Sequence, residues 1–285
     1  MLRRLLEALA AQDDDGSFAA EIVVVDNDSD RSAEATVRDV RNRTGIEIRY
    51  DCEPERNISL TRNRALRHAT GNLIAFIDDD ECPVRDWLVQ LYRTLRTHGT
   101  DGVLGPVLPE FPSDAPAWLQ KGRFFHRRRL ATGTRISVGD GRTGNLLLRR
   151  SIFLAGDDWF NPAFGRTGGE DSDFFRRLFS LGYTFVWCDE AVVHETVPPE
   201  RWRPSYHIKR LLRSGTQDGE WMRAGQLPSR GLIARNTAIL GACAMLAPFS
   251  LLFGKRISTT VLQKLAYCGG VITGYYGMPL SRERD

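Results

Sequence analysis

Four acids stand in a row at Asp78, Asp79, Asp80 and Glu81, directly after the apolar run from Leu73 to Ile77. A short apolar run of that kind predicts a buried parallel strand. The acids would then sit in the turn at its carboxyl end, where open α/β sheets bind ligands. If the extended geometry persists, Asp78 and Asp80 point the same way. Two carboxylates converging there repel unless a cation lies between them, and oxygen ligands suit Mg²⁺ or Mn²⁺. A solvated acidic turn that favours the next helix's N-terminus is the ordinary alternative. Pro83 stands where that helix would begin, with Trp87, Leu88, Leu91 and Leu95 following at helical spacing.

A second acidic strand end is Asp26, Asn27 and Asp28, after Glu21 to Val25. A third group, Glu170, Asp171 and Asp173, follows the flexible pair Gly168 and Gly169 at the first turn of a helix. Acids there stabilise a helix by ~1 kcal/mol with no chemistry involved. Set against the 78–81 cluster, they also allow one carboxylate group to hold a metal and another to take a proton. His194 ends a short apolar run, where a histidine on its own is more often a satisfied core residue than a ligand.

The elements that must position these groups alternate. An amphipathic helix carries Leu2, Leu5, Leu6 and Leu9; a strand from Glu21 to Val25, a helix from Ser32 to Val40 and a strand over residues 46–50 follow. A helix from Ser59 to Ala69 leads into the strand at Leu73. Strand, helix, strand, helix, strand predicts βαβ units, a mostly parallel sheet, and both Asp clusters along one edge. Beyond Val103 four prolines mark a long irregular loop, followed by Phe124, Phe125, His126, Arg127, Arg128 and Arg129. That mixed stretch fits a solvated basic loop or an anion-binding one. TGNLLLRR (143–150) predicts a strand opened by Gly144; Phe174, Phe175, Leu178 and Phe179 give the core face of the helix after Gly169, and two short strands follow.

At 285 residues, 42% hydrophobic and 26% charged, the chain is an ordinary globular protein with room for one large α/β domain or two small ones. A net charge of +3 gives no argument for nucleic acid. Five scattered cysteines, without C-x-x-C or zinc spacing, point to a reducing compartment. No G-x-G-x-x-G or P-loop follows any strand, which counts against dinucleotide and ATP-hydrolysing folds. The tail is distinct: Asn236 to Phe253 and Leu265 to Leu280 are uncharged runs, with Lys255 and Arg256 between them and Gly270 and Gly274 in small-xxx-small spacing. A membrane hairpin, an interfacial pair, or helices packed on the domain all fit, with membrane contact the preferred expectation. The segments 1–108, 109–230 and 231–285 are the expected half with both Asp-ended strands, the half with Glu170 and Asp171, and the membrane-associated tail.

Together IVVVDNDSD, TRNRALRHATGNLIAFIDDDECP, TGNLLLRR, GGEDSDFFRRLFSLGY and AVVHE resemble glycosyltransferase family 2, inverting enzymes of the GT-A fold, and most of all the bacterial succinoglycan-type exopolysaccharide glucosyltransferases. The resemblance runs in order from residue 1 to about 215. It implies a UDP-sugar donor, a divalent metal (Mg²⁺ or Mn²⁺), and a saccharide acceptor that is typically lipid-linked, at the cytoplasmic face of the membrane. It maps nucleotide-sugar binding to Asp26, Asp28, Arg62, Asn63, Asp78 and Asp79. The metal maps to Asp80, Asp78 and His194, and the general base to Asp171 with Glu170 beside it. A metal would neutralise the leaving diphosphate, and one in-line attack would turn an α-linked donor into a β-linkage.

One departure stands out. The family begins with a central strand, between those ending at Asp26 and Asp78, and this sequence starts inside the next helix. The expectation is a GT-A fold lacking its first strand, with the recorded Met1 not the natural start or part of the donor site lost. A nucleotidyltransferase would want an early glycine-rich, lysine-bearing loop, which is not visible. A non-catalytic membrane scaffold with a decayed transferase fold fits the missing strand, but not two intact acid clusters.

Overall fold

The computed structural model describes residues 1–153, 156, 159–229 and 231–278. Leu280, the expected end of the second uncharged run, lies outside them. In chain order the elements are α1 (Leu2–Ala10), β1 (Ile22–Asp26), α2 (Glu34–Thr44), β2 (Ile48–Cys52), α3 (Ile58–His68), β3 (Leu73–Ile77), β4 (Glu81–Pro83), α4 (Trp87–His98), β5 (Gly102–Leu104) and β6 (Val107–Glu110). Then come α5 (Ala117–Gly122), β7 (Asn145–Arg149), α6 (Glu170–Ser180), β8 (Phe185–Trp187), β9 (Val193–Thr196), α7 (Pro204–Arg223), α8 (Leu232–Ser250) and α9 (Gly254–Tyr275). They form two compact units, one of residues 1–110 and 126–196, the other of residues 111–125 and 197–285. This grouping cuts across the segments 1–108, 109–230 and 231–285, because strands before and after residue 108 share sheets.

The first unit is mixed α/β. β1 and β2 pair parallel, Ile22 opposite Ile48 and Asp26 opposite Cys52. A four-stranded sheet runs β3-β7-β5-β8 and a three-stranded one β4-β9-β6. The β5–β8 and β6–β9 pairs are also parallel, whereas β3–β7, β5–β7 and β4–β9 are antiparallel. Parallel pairing holds where helical crossovers join strands, and the later strands add antiparallel partners. Among the described residues β1 pairs only with β2 and β3 only with β7, so no strand lies between the two Asp-ended strands.

Local sequence accounts for most boundaries. Asn57 caps α3 by accepting from the Ser59 and Leu60 N–H groups at 3.1 and 3.3 Å. Gly45 (φ 72°) and Gly99 (φ 62°) end α2 and α4 in the left-handed conformation that glycine adopts without penalty. The start of α4 differs from expectation. Glu81–Pro83 pairs antiparallel with Val193–Glu195, and the helix begins only at Trp87. Pro83 is tolerated as the last residue of a three-residue strand, where ladder bonds end. Likewise β9 continues past His194 to Thr196.

Three clusters fill this unit. Leu6, Val37, Val40 and Ile48 join α1 and α2 to the first sheet. Trp87, Leu91, Leu95, Val103, Leu147 and Val186 seal α4 onto the second. On the other side Phe160, Phe174, Phe175 and Phe185 form a stacked aromatic layer under α6, with Phe160 and Phe174 centroids 4.5 Å apart. Burial of each such side chain contributes ~1.5–3 kcal/mol.

The second unit is helical. Leu119, Phe125 and Val197 make its small core, with Trp118, Phe124, Trp202 and Tyr206 around it. α7 and α9 touch backbone to backbone. A Cβ at Gly215 or Gly219 would come within 2.1 or 2.2 Å of α9 carbonyls, and one at Gly270 or Gly274 within 2.3 or 2.2 Å of α7 carbonyls. The glycine spacing of the tail is therefore a helix–helix seam. α8 lies against α9, and the chain turns through a short 3₁₀ segment, 251–253, and Gly254 (φ 86°). Residues 232–275 hold one stretch long and apolar enough to cross a membrane by length and composition, and that stretch is only 11% buried.

Candidate active site

α3 joins the acidic groups. At its N-terminus the Asn57 N–H donates to Asn27 Oδ1 at 3.0 Å, tying the helix to the loop after β1. The Asn57 side chain also donates to the Pro162 carbonyl (3.0 Å), and Gly165 must be glycine because a Cβ would overlap Asn57 Oδ1. One turn on, Asn63 Nδ2 donates to the Phe160 carbonyl at 2.8 Å while Oδ1 accepts the Phe160 N–H at 2.9 Å. Both ends of the Asn63 amide are thus committed to the loop before α6, and the side chain is fully buried.

Between the two asparagines, Arg62 reaches three carboxylates. Its Nη1 donates to Glu170 Oε1 and to Asp171 Oδ1, each at 2.8 Å, and Nη2 lies 3.5 Å from Asp78 Oδ1. Its outer face covers the Phe160 ring, 5.4 Å from the centroid. Burial opposes the charge, but Asp171, Asp78 and Glu170 outweigh it and hold the guanidinium above its ordinary value. The strand-end acid and the helix-start acids, far apart in sequence, therefore meet at one cation.

Asp171 is held from the other side by Thr143, whose hydroxyl donates to Oδ1 at 2.7 Å and whose N–H approaches Oδ2 at 3.4 Å. Gly168 (φ 83°) and Gly169 (φ 94°) bring the chain into α6 through two consecutive left-handed residues. Glu170 is buried and Asp171 keeps 28% of its side chain exposed, so of the pair Asp171 is open to an incoming hydroxyl.

The next two residues after Thr143 also build the site. Gly144 admits the acids: a Cβ there would lie 2.6 Å from Glu81 Oε1 and 3.2 Å from Asp78 Oδ2. Asn145 is buried, donates to the Pro106 and Ala191 carbonyls at 3.0 and 2.7 Å, and accepts from Trp87 Nε1 at 2.8 Å. The Thr-Gly-Asn tripeptide was legible only as a strand opening. Its signal was two hydrogen-bonding residues around a glycine at a strand entrance.

Asp78 is held above the ordinary carboxylate range, chiefly by desolvation, with Arg62 opposing and Asp171 and Asp80 adding to the rise. Glu81 is buried, accepts the Asp78 N–H at 3.1 Å, and is pushed well up by burial and by Asp78. Asp79 is exposed; the Asp80 carbonyl accepts the Thr196 N–H at 3.1 Å. Among the described residues no three His, Cys, Asp or Glu side chains enclose a metal ion. The donor chemistry nonetheless fits a hard divalent cation: carboxylates from Asp78 and Asp80 share a site whose mutual repulsion a cation would relieve.

His194 is paired with Cys82 across β4 and β9 and shares a face of β9 with Thr196, to which Arg4 donates at 3.4 Å. Side chains alternate along the strand, so Glu195, opposite Glu81 and receiving Arg127 Nη2 at 3.3 Å, stands on the other face.

At the end of β1, Asp26 accepts from the Asp28 N–H (3.1 Å), the Ala33 N–H (2.8 Å) and the Tyr50 hydroxyl (3.0 Å). Tyr50 is pushed up to about 12, by burial first and then by Asp26. Asp28 bonds the Asp30 N–H at 3.1 Å and is lowered by the Ser32 hydroxyl and that N–H. No described hydrogen bond or ion pair links Asp26 directly to Asp78; the connection runs through α3.

Residues 1–155 match glycosyl transferase family 2. The succinoglycan biosynthesis protein ExoM of Rhizobium meliloti (strain 1021) is 35% identical over 279 residues, 97% of this chain and 89% of that protein. Chondroitin synthase of Escherichia coli is 24% identical over 212 residues, 63% of this chain and 30% of that enzyme. Among solved structures, GalNAc-T7 with UDP, GalNAc and Mn²⁺ aligns at a TM-score of 0.55 and 14% identity, covering 80% of this chain and 48% of that one. S. aureus TarS 1-349 in complex with UDP aligns at 0.50 and 14% identity, covering 97% and 88%. Those two likenesses concern the fold, which is that of the GT-A glycosyltransferases. The model match and the ExoM-like identity along nearly the whole sequence place the enzyme: this chain belongs to glycosyltransferase family 2.

Proposed function

We propose that the protein transfers a hexose from a UDP-sugar, with inversion, to a lipid-linked saccharide acceptor in exopolysaccharide synthesis at the cytoplasmic face of the membrane. The observation that carries the reading is the Arg62 bridge, which sets Asp171 beside Asp78. Asp171 takes the acceptor hydroxyl's proton at Oδ2, because Arg62 and Thr143 already occupy Oδ1. Asp80 and Asp78 would hold Mg²⁺ or Mn²⁺, which when bound supplies charge neutralisation at the leaving diphosphate. Asp79 lies beside them on the donor side, and the segment from Asp26 to Asp28 reads the nucleotide. The likenesses to ExoM and to the UDP-bound TarS structure support the substrate classes.

The test is turnover of candidate UDP-sugars with and without divalent ions. Asp171→Asn keeps the side chain's size and an oxygen that Arg62 and Thr143 can reach, so transfer should fall ~10²–10⁴-fold with donor affinity little changed. Normal transfer by that variant would make Asp171 a structural partner of Arg62 and Thr143 alone and remove the reading.

The membrane part rests on an exposed apolar tip. Met245, Leu246, Phe249, Leu251, Leu252 and Phe253 all face outward, with Lys255 and Arg256 next in sequence. Removing residues 231–285 would also strip α9 from α7, so a gentler variant is informative. Leu252→Ser with Phe253→Ser should release the protein from anionic vesicles without changing its thermal midpoint. Unchanged sedimentation with vesicles would show that the tip is not the anchor.

A further inference from the structure

The basic stretch at Arg127 and Arg128 is not used by this chemistry, yet it lines a pocket of the first unit together with Arg142, Asp140, Asn145 and Trp187. Two wall residues have their polar atoms already engaged. Asn145 has both amide hydrogens and its oxygen engaged, and Trp187 Nε1 donates to Asp189 Oδ1 at 3.2 Å. Asp140 is ionised below its ordinary value: burial opposes this, but the Ser137 hydroxyl and N–H, then Arg128 and Arg142, prevail. Its Oδ1 is 3.8 Å from Arg128, beyond a hydrogen bond. The lining thus brings three guanidiniums together, with Asp140 beside Arg128 and Glu195, outside the lining, on Arg127. Arg127 gives one Nη2 to Glu195, and a guanidinium has five N–H donors in a fixed fork.

Position says which substrate these guanidiniums would meet. Every lining residue comes from 104 to 187, and none from β1, β2 or α3, where the nucleotide reading begins. Arg142 immediately precedes Thr143, which holds Asp171, and Arg127 acts on Asp78 and Glu81 through its charge. Asp189 diverts Arg129 from the same stretch into a two-toothed pair at 2.8 Å, leaving its two predecessors at the pocket. We propose that this pocket binds an oxyanion carried by the saccharide acceptor, a phosphoryl or carboxylate group, and thereby turns the acceptor's hydroxyl towards Asp171. Forked guanidiniums match both groups in charge and geometry. This inference rests on the glycosyl-transfer reading above.

The experiment uses full-length protein and three acceptors of one sugar sequence: neutral, phosphorylated, and carrying a uronic acid. Arg128→Gln and Arg142→Gln, singly and together, alter exposed side chains, and thermal midpoints check folding. Charged hydrogen bonds of this kind are worth ~1.5–3 kcal/mol, so the double variant should raise KM for the anionic acceptor ~10–100-fold. KM for the neutral acceptor and for the UDP-sugar should stay within about twofold. The phosphorylated and uronic arms then show which oxyanion the pocket prefers. An unchanged KM for both anionic acceptors overturns the inference, as does a rise confined to the donor, which would make the pocket part of the diphosphate site. Failure of the parent protein to turn over any UDP-sugar would instead strike the underlying reading.

Discussion

Arg62 and His207 are both ionisable side chains withdrawn from water, one in each unit, and they are kept in opposite charge states. Arg62 stays charged because three carboxylates surround it and an aromatic ring covers its outer face. His207 is fully buried in α7 among Trp118, Phe124, Phe125 and Tyr206, and among the described residues neither ring nitrogen has a partner with hydrogen-bond geometry. Burial, then the Arg210 charge, pushes the imidazole down to about 4, against a smaller pull from the Arg201 backbone. The difference separates a polar core whose cation must be charged to hold Glu170, Asp171 and Asp78 from an aromatic core that must be neutral to pack.

The largest effect should come from breaking the charged arrangement. Arg62→Met fits the volume but takes the guanidinium away from buried Glu170 and from Asp171, at a cost of ~3–5 kcal/mol in urea unfolding. Adding Glu170→Gln should restore part of that loss, since one buried carboxylate charge disappears with the substitution. If Arg62→Met alone unfolds at the parent's urea midpoint, the bridge is not holding the acids together.

His207 predicts a pH signature of intermediate size. A base lowered in the folded state binds its proton more readily when unfolded, so stability rises with pH across the window from about 4 to its ordinary 6.5. It is complete above 6.5 and lost as pH falls towards 4, amounting to ~1–3 kcal/mol. His207→Phe should flatten the urea midpoint between pH 5 and pH 7.5 relative to the parent. An unaltered pH profile in that variant would place the titration elsewhere.

The sequence exposed these two environments unequally. Leu73–Ile77 was plain as a strand from its apolar run, and the acids after it were plain because they interrupt it. Only Ile74 is buried, however, and the strand pairs antiparallel with β7, so the expected buried parallel strand is corrected. The core face of α6 was read from helical spacing, and Phe174, Phe175 and Leu178 are indeed buried. What spacing did not carry is the pairing of distant segments. Asn63 meets Phe160 across 97 positions, so nothing near it in sequence marks it as a clamp. β4 needs β9 more than a hundred residues later, which is why Pro83 looked like a helix start. For Glu170 and Asp171, capping and chemistry predict the same residues; only Arg62, arriving from α3, gives them a further task. His207 left no trace in the pattern, since a histidine among aromatics reads as any other partly polar helix position.

The smallest effect sharpens the comparison by a third means of burying a charge. Asp26 is 9% exposed and has no guanidinium in its hydrogen bonds; two backbone N–H groups and a tyrosine hydroxyl surround it. Asp26→Asn preserves the shape and keeps one accepting oxygen. If the amide nitrogen takes the Oδ1 position, the Asp28 N–H is orphaned while Ala33 and Tyr50 keep their acceptor. In the reverse orientation the Ala33 N–H is orphaned, and the Tyr50 hydroxyl can rotate to accept instead. Either way about one hydrogen bond is lost, costing ~1 kcal/mol in urea unfolding. That is several-fold less than for Arg62→Met, because local backbone donors share the load that a single cation carries at Asp171. The loop from Asp26 to Ala33 should also loosen, so UDP affinity should fall modestly by titration calorimetry, with or without divalent ions. A loss comparable to that of Arg62→Met would mean that Asp26, like the acids around Arg62, depends on a charge rather than on its own backbone.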